Sequence, residues 1–144
     1  MHVETSLCDT DARIAIDAIC AALKARGKTG VIAVVDAHGE TIALLRMNGA
    51  PLSSVNVAAN KAYSAARLRR PSGETGKRSR HPDTAFDIAY YGDPRYVGWG
   101  GGLPVVVDGQ VVGAVAVSGL SDTEDEELSA IGIAAIMQSQ RAAA

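Results

Sequence analysis

The chain has 144 residues, of which 47% are hydrophobic and only 4% aromatic, and it carries a net charge of −2. That length fits one domain with a real core, built mainly from Ala, Val, Ile and Leu. The near-neutral charge gives no reason to expect nucleic-acid or membrane partners, and no stretch approaches the ~20 apolar residues of a membrane span.

The N-terminus, Met1-His-Val-Glu-Thr-Ser-Leu7, lacks the basic start and apolar run of a signal peptide, so a cytoplasmic protein is expected. Ser6 to Arg26 reads as a first helix, capped by Ser6 or Asp9, with Ile16, Ile19 and Leu23 on one face. Cys8 and Cys20 fall in this region and match no metal spacing, so reduced, packed thiols are expected. Val31–Val35 and Thr41–Leu45 are β-type runs that form a hairpin around Asp36-Ala-His-Gly-Glu40. Their unbroken apolarity predicts cover on both faces. His38 sits at the turn. A second helix starts at Ser53 or Ser54 and runs to about Leu68, with Val55, Ala58, Ala59, Ala62 and Ala66 forming an alanine seam. Lys61 lies beside the seam, either snorkelling to solvent or turned towards a pocket at the sheet edge.

From Arg67 to His81, seven basic residues interleave with Pro71, Gly73 and Gly76, which reads as a basic, glycine-containing loop. Gly76-Lys77-Arg78 fails the pattern of a phosphate-binding loop. A short helix capped by Asp83 or Thr84 would carry Phe86, Ile88, Ala89 and Tyr90. Phe86, Tyr90, Tyr91, Tyr96 and Trp99 concentrate most of the chain's aromatic residues, as a contact surface or pocket wall would. Gly92 to Pro104 then packs five glycines, two prolines and the only tryptophan into one stretch, a composition that no ordinary helix or strand tolerates. Leu103–Val107 and Gln110–Val117 form a second hairpin about Asp108-Gly109. The last helix opens on a capping box, Thr123 with Glu126, in an acidic run from Asp122 to Glu127, and Gln138 to Ala144 is expected to fray. The elements make an α+β fold, an antiparallel sheet of four or five strands covered by helices.

Val34-Val-Asp-Ala-His-Gly39, Arg46-Met-Asn-Gly-Ala50, Ala59-Asn-Lys-Ala62, Gly100-Gly-Gly-Leu-Pro104, Gly113-Ala-Val-Ala-Val-Ser-Gly119 and the acidic start of the last helix resemble, in order, the GlcG/HbpS family, also called haem-degrading or PduO C-terminal-like domains. The resemblance implies a profilin-like single domain over residues 1–144 that forms homo-oligomers, octamers among them. Against the shorter family pattern, residues 67–99 read as a distinctive loop and short-helix insertion.

The family includes haem- or corrinoid-associated proteins and companions of catabolic operons, and two functions are weighed ahead of a third, an assembly or scaffold subunit. The first is a small-molecule enzyme of aromatic catabolism, a hydrolase or isomerase without metal. It would hydrolyse an imine or enamine, or tautomerise an anionic intermediate. His81, Asp83, Asp87 or Asp93 would move protons. Arg46, Lys61 or Arg95 would hold a carboxylate. The backbone N–H groups of Gly100, Gly101 and Gly102 would stabilise an oxyanion, and Tyr90, Tyr91 and Trp99 would wall the pocket. This reading needs no cofactor. The alternative is a non-catalytic protein that binds haem, corrinoid or another planar ligand, stacked on Tyr90, Tyr91, Tyr96 and Trp99. His38, His81 and Met47 are its candidate axial ligands by residue type.

Overall fold

The computed structural model describes residues Met1–Ala144. In chain order the elements are helix α1 (Asp9–Ala25), strands β1 (Val31–Val35) and β2 (Thr41–Arg46), and helices α2 (Ser54–Leu68) and α3 (Ser72–Arg80). A 3-10 helix (Ile88–Tyr91), strands β3 (Gly102–Val107) and β4 (Gln110–Ser118) and helix α4 (Asp122–Ala143) complete the fold. The four strands are antiparallel in the order β2-β1-β4-β3, so the two expected hairpins are joined through β1 and β4.

Alternation along the two central strands sorts the side chains into layers. Ile32 and Val34 of β1, with Val115 and Val117 of β4, join the core that also holds Ile19 and Leu23 of α1 and Leu128 and Ile136 of α4. Val31, Ala33 and Val35, with Ala114 and Ala116, face the other way into a core shared with Ala58, Ala62, Ala65 and Ala66 of α2. All five residues of β1 are fully buried because both faces of that strand are covered. Each fully buried Ile, Leu or Val in these layers contributes about 1.5–3 kcal/mol. On the α2 side the small residues leave little side-chain thickness, so helix and sheet backbones come close.

The ends of several elements differ from expectation. Cys8 precedes α1, and its N–H donates to Asp11 Oδ2 at 2.9 Å. Ser6 is no cap; its Oγ instead accepts the Ala37 N–H at 3.0 Å, tying the N-terminal strap to the first hairpin. Cys8 and Cys20 are both free, but Cys8 is exposed rather than packed. Ser121, not the Thr123–Glu126 pair, caps α4, accepting the Glu124 N–H at 3.2 Å. The end of α4 stays helical to Ala143, with Gln140 Nε2 donating to Asp11 Oδ1 at 2.8 Å.

The largest departure is the stretch taken for a basic loop, most of which forms α3. Its core-facing residues are Ser72, Thr75 and Gly76, at helical spacing, and its basic residues hide that face in a composition-based reading. The helix expected from Asp83 or Thr84 does not form. Only the 3-10 helix is present, capped by Asp87, whose Oδ1 accepts the Ala89 N–H at 2.9 Å.

Candidate functional site

The glycine stretch lies at the corner of the sheet where β3 has yet to begin, between α2, α3 and α4. Two glycine contacts seat α3 on it. A Cβ on Gly98 would lie 2.5 Å from Gly76 Cα, and one on Gly73 would lie 3.0 Å from Gly100 Cα. A helix can rest on this run only with glycines on both sides of the contact. Serines pin the run in place. Ser72 Oγ donates to the Trp99 carbonyl at 2.6 Å and accepts the Gly102 N–H at 2.9 Å, while Ser129 Oγ donates to the Gly101 carbonyl at 2.6 Å.

Lys61 leaves α2 on one face of the sheet and meets Asp125 of α4 on the other. Its Nζ donates to Asp125 Oδ2 at 2.9 Å and to the Val117 carbonyl at 3.2 Å. Both partners are about 1% exposed. The passage exists because Gly101 has no side chain: a Cβ there would lie 2.9 Å from Lys61 Nζ and 2.9 Å from Asp125 Cβ. Lys61 therefore neither snorkels to solvent nor reaches an open pocket. Burial pushes the Asp125 carboxyl up, against the pull of the Lys61 ammonium and of the Leu120 N–H, which donates to Oδ1 at 3.1 Å. Asp125 was hidden within the acidic run explained by helix capping. Its separate role shows only once α4 is set against α2.

The glycine amides also differ from the expected oxyanion site. The Gly100 N–H is held by Asp122 Oδ2 at 2.9 Å and the Gly102 N–H by Ser72. All three glycines of the run are buried.

A second cluster anchors the stretch before Trp99. Tyr63 of α2, only 3% exposed, donates its hydroxyl to Asp93 Oδ2 at 2.5 Å. Arg95 closes on the same carboxylate with Nη2 at 3.1 Å and Nε at 3.2 Å, and its guanidinium carbon stands 4.0 Å from the Tyr63 ring centre. Tyr63, Tyr96, Tyr91 and Phe86 follow as a chain of ring contacts with centroids 5.2, 4.7 and 5.8 Å apart. The Arg95 and Tyr63 hydrogen bonds hold the Asp93 carboxyl well below the usual carboxylate range. Burial, with the bond to Asp93, pushes the Tyr63 hydroxyl up to about 12. Asp93 is thus a fixed anion rather than a proton carrier, and Arg95 is engaged with it. Because its pKa is depressed on folding, the stability it contributes is full above the ordinary Asp range and fades as pH falls below about 4. Asp93→Asn is accordingly expected to flatten the acid limb of stability against pH, read from urea midpoints. An unchanged acid limb would contradict the clamp.

The remaining expected site residues are dispersed. His81 and Asp83 are exposed, and His81 Nδ1 accepts the Asp83 N–H at 3.1 Å. Asp87 is spent on its cap, and Arg46 is exposed at the end of β2. Tyr90 is 86% exposed and Trp99 61%, so they form outer surface rather than a pocket wall. None of His81, Asp83 and Asp93 lines the main cleft.

That cleft, of about 690 Å³, opens between α3 and the first turns of α4. Gly98, Gly100 and Leu103 are among the residues beneath it, and its walls carry Glu74, Lys77 and Arg80 from α3 and Asp122, Glu126 and Glu127 from α4. The sequence marked the basic residues but not the helix that aligns them, nor the acidic wall opposite.

With this geometry in place, comparison with known proteins gives a consistent picture. The family model described as "Haem degrading protein HbpS-like" matches residues 7–134. An uncharacterised 15.0 kDa protein from the dhaT-dhaS intergenic region of Citrobacter freundii is 36% identical over 99 residues, 69% of this chain and 70% of that protein. Streptomyces reticuli HbpS, solved as a double mutant, is 30% identical with a TM-score of 0.83, covering 93% of this chain and 89% of the other. A PduOC–haem complex is 26% identical with a TM-score of 0.83, covering 91% and 95%. No helix is long and apolar enough to cross a membrane. The fold, the glycine run and the sequence matches together place the chain in the HbpS-like family.

Proposed function

We propose that the chain is a non-catalytic binding protein for haem or another planar macrocycle, taken up against the exposed side chains of Tyr90 and Trp99. The observation that carries this reading is the likeness to a domain solved in complex with haem. The alternative expectation of imine hydrolysis or tautomerisation draws less support, because its acids, bases and amides are scattered, exposed or already bonded within the protein.

His38, His81 and Met47 each make contacts within the protein, which favours a planar face over an axial bond through any of them. His81 is exposed, and its Nδ1 accepts the Asp83 N–H within its own turn. His38 Nε2 is held by Glu4 at 2.8 Å, and Met47 packs against the core. The cleft offers no His, Met, Cys or Tyr. Tyr90 and Trp99, in contrast, expose most of their rings, and aromatic contacts of this kind contribute about 0.5–1.5 kcal/mol each.

Haemin and iron-free protoporphyrin are therefore expected to bind with affinities within about tenfold of each other, by titration of the Soret absorbance. Tyr90→Ala combined with Trp99→Ala is expected to weaken both by about tenfold, and His81→Ala to change neither. Binding of haemin alone, lost in His81→Ala, would overturn the stacking mode. Failure of both macrocycles to bind would overturn the function.

A further inference from the structure

The cleft between α3 and α4 is lined mainly by charged side chains, so its chemistry differs from that of the exposed aromatic residues. On α3, Glu74, Lys77 and Arg80 recur every three residues and form one line along the helix, away from the Ser72–Thr75–Gly76 face buried against the glycine run. On α4, Asp122, Glu126 and Glu127 face them. The ion pairs of these carboxylates run outward: Glu127 to Arg26 at 3.5 Å and Glu74 to Arg78 at 4.0 Å. No ion pair within 4.0 Å joins Lys77 or Arg80 to the α4 carboxylates, although Glu126 Oε2 reaches towards Gly73 at the start of α3. Asp122 is fixed there by the Gly100 N–H, and α3 is fixed by its glycine contacts.

We infer that this cleft binds a small zwitterion, a molecule carrying a carboxylate at one end and an ammonium at the other. A simple anion drawn to Lys77 and Arg80 meets the carboxylates of α4, and a simple cation meets the two α3 cations. Only a dipolar molecule satisfies both walls. The volume lies within the range of small-molecule sites, about 300–1,000 Å³. Six of the lining side chains are charged, Glu74, Lys77, Arg80, Asp122, Glu126 and Glu127, which favours a charged ligand over an apolar one. Because the charged groups are open to solvent, each ion pair adds little, and binding is weak and salt-sensitive.

The test is calorimetric titration of the full chain with glycine, β-alanine, γ-aminobutyrate and ε-aminocaproate, with butyrate and butylamine as single-charge controls. At least one zwitterion is expected to bind about tenfold more tightly than either control, and salt should weaken it. Lys77→Ala with Arg80→Ala should lower that affinity about tenfold, and Glu126→Gln separately about threefold. These side chains are exposed, so the unliganded variants should keep the wild-type melting temperature. If none of the four zwitterions binds, if the controls bind as well, or if neither variant is impaired, the inference is overturned. Haemin is left out throughout, so the outcome is independent of the macrocycle reading.

Discussion

Lys61→Met is expected to destabilise the protein by about 3–5 kcal/mol, measured as a fall in the urea midpoint with an unchanged slope. The loss comes less from the missing bond than from what stays behind. Asp125 is about 1% exposed and keeps only the Leu120 N–H as partner. An uncompensated buried carboxylate must either ionise in a poor solvent or take up a proton. The intact pair, by the same reasoning, contributes little net stability, because the cost of burying two charges offsets their attraction. Burial already holds Asp125 above its ordinary value even with Lys61 in place. The double variant Lys61→Met with Asp125→Leu is therefore expected to recover most of the loss. A single variant as stable as wild type, or a double variant worse than the single, would show that the passage at Gly101 has another purpose.

Gly76→Ala is expected to cost about 1–3 kcal/mol, although Ala is favoured over Gly inside a helix by about 0.8–1 kcal/mol. The sign reverses because the new methyl would fall inside the Gly98 backbone, with the carbonyl oxygen as its nearest neighbour. Backbone against backbone cannot yield as a flexible side chain would. Gly73→Ala, whose methyl would lie 3.0 Å from Gly100 Cα, is expected to be milder. Unseating α3 should also open Lys77, Arg78 and Arg80 to trypsin while the sheet remains protected. A Gly76→Ala protein that melts higher than wild type, as helix propensity alone would give, would contradict the close contact.

The sheet and the three long helices were legible because each element carries its own period. Val31–Val35 announced a strand covered on both faces, and the alanine seam of α2 announced a close-packed helix. What failed was the short and the shared. The buried face of α3 is Ser, Thr and Gly, with no apolar stripe to read, so its charges dominated the composition. Its reason for being a helix lies in the glycine run some twenty residues later, a tertiary fact with no local signal. The same holds for the site. Lys61, Gly101 and Asp125 each had an adequate local explanation, and only their meeting through the sheet revealed a single buried junction. Asp93 and Arg95 looked like reactive groups, but Tyr63, a long-range partner inside α2, converts them into a clamp.

The clamp and the serine-pinned glycine run engage Asp93, Arg95 and the Gly100 and Gly102 amides in bonds within the protein. The central proposal is binding without turnover, against the exposed side chains of Tyr90 and Trp99. Titration of the purified protein with haemin, followed at the Soret band, tests it most directly. A saturable change at about one macrocycle per chain, with the haemin recovered chemically unaltered, is the predicted result. A spectrum that remains that of free haemin at every ratio, or a macrocycle consumed on mixing, would contradict it.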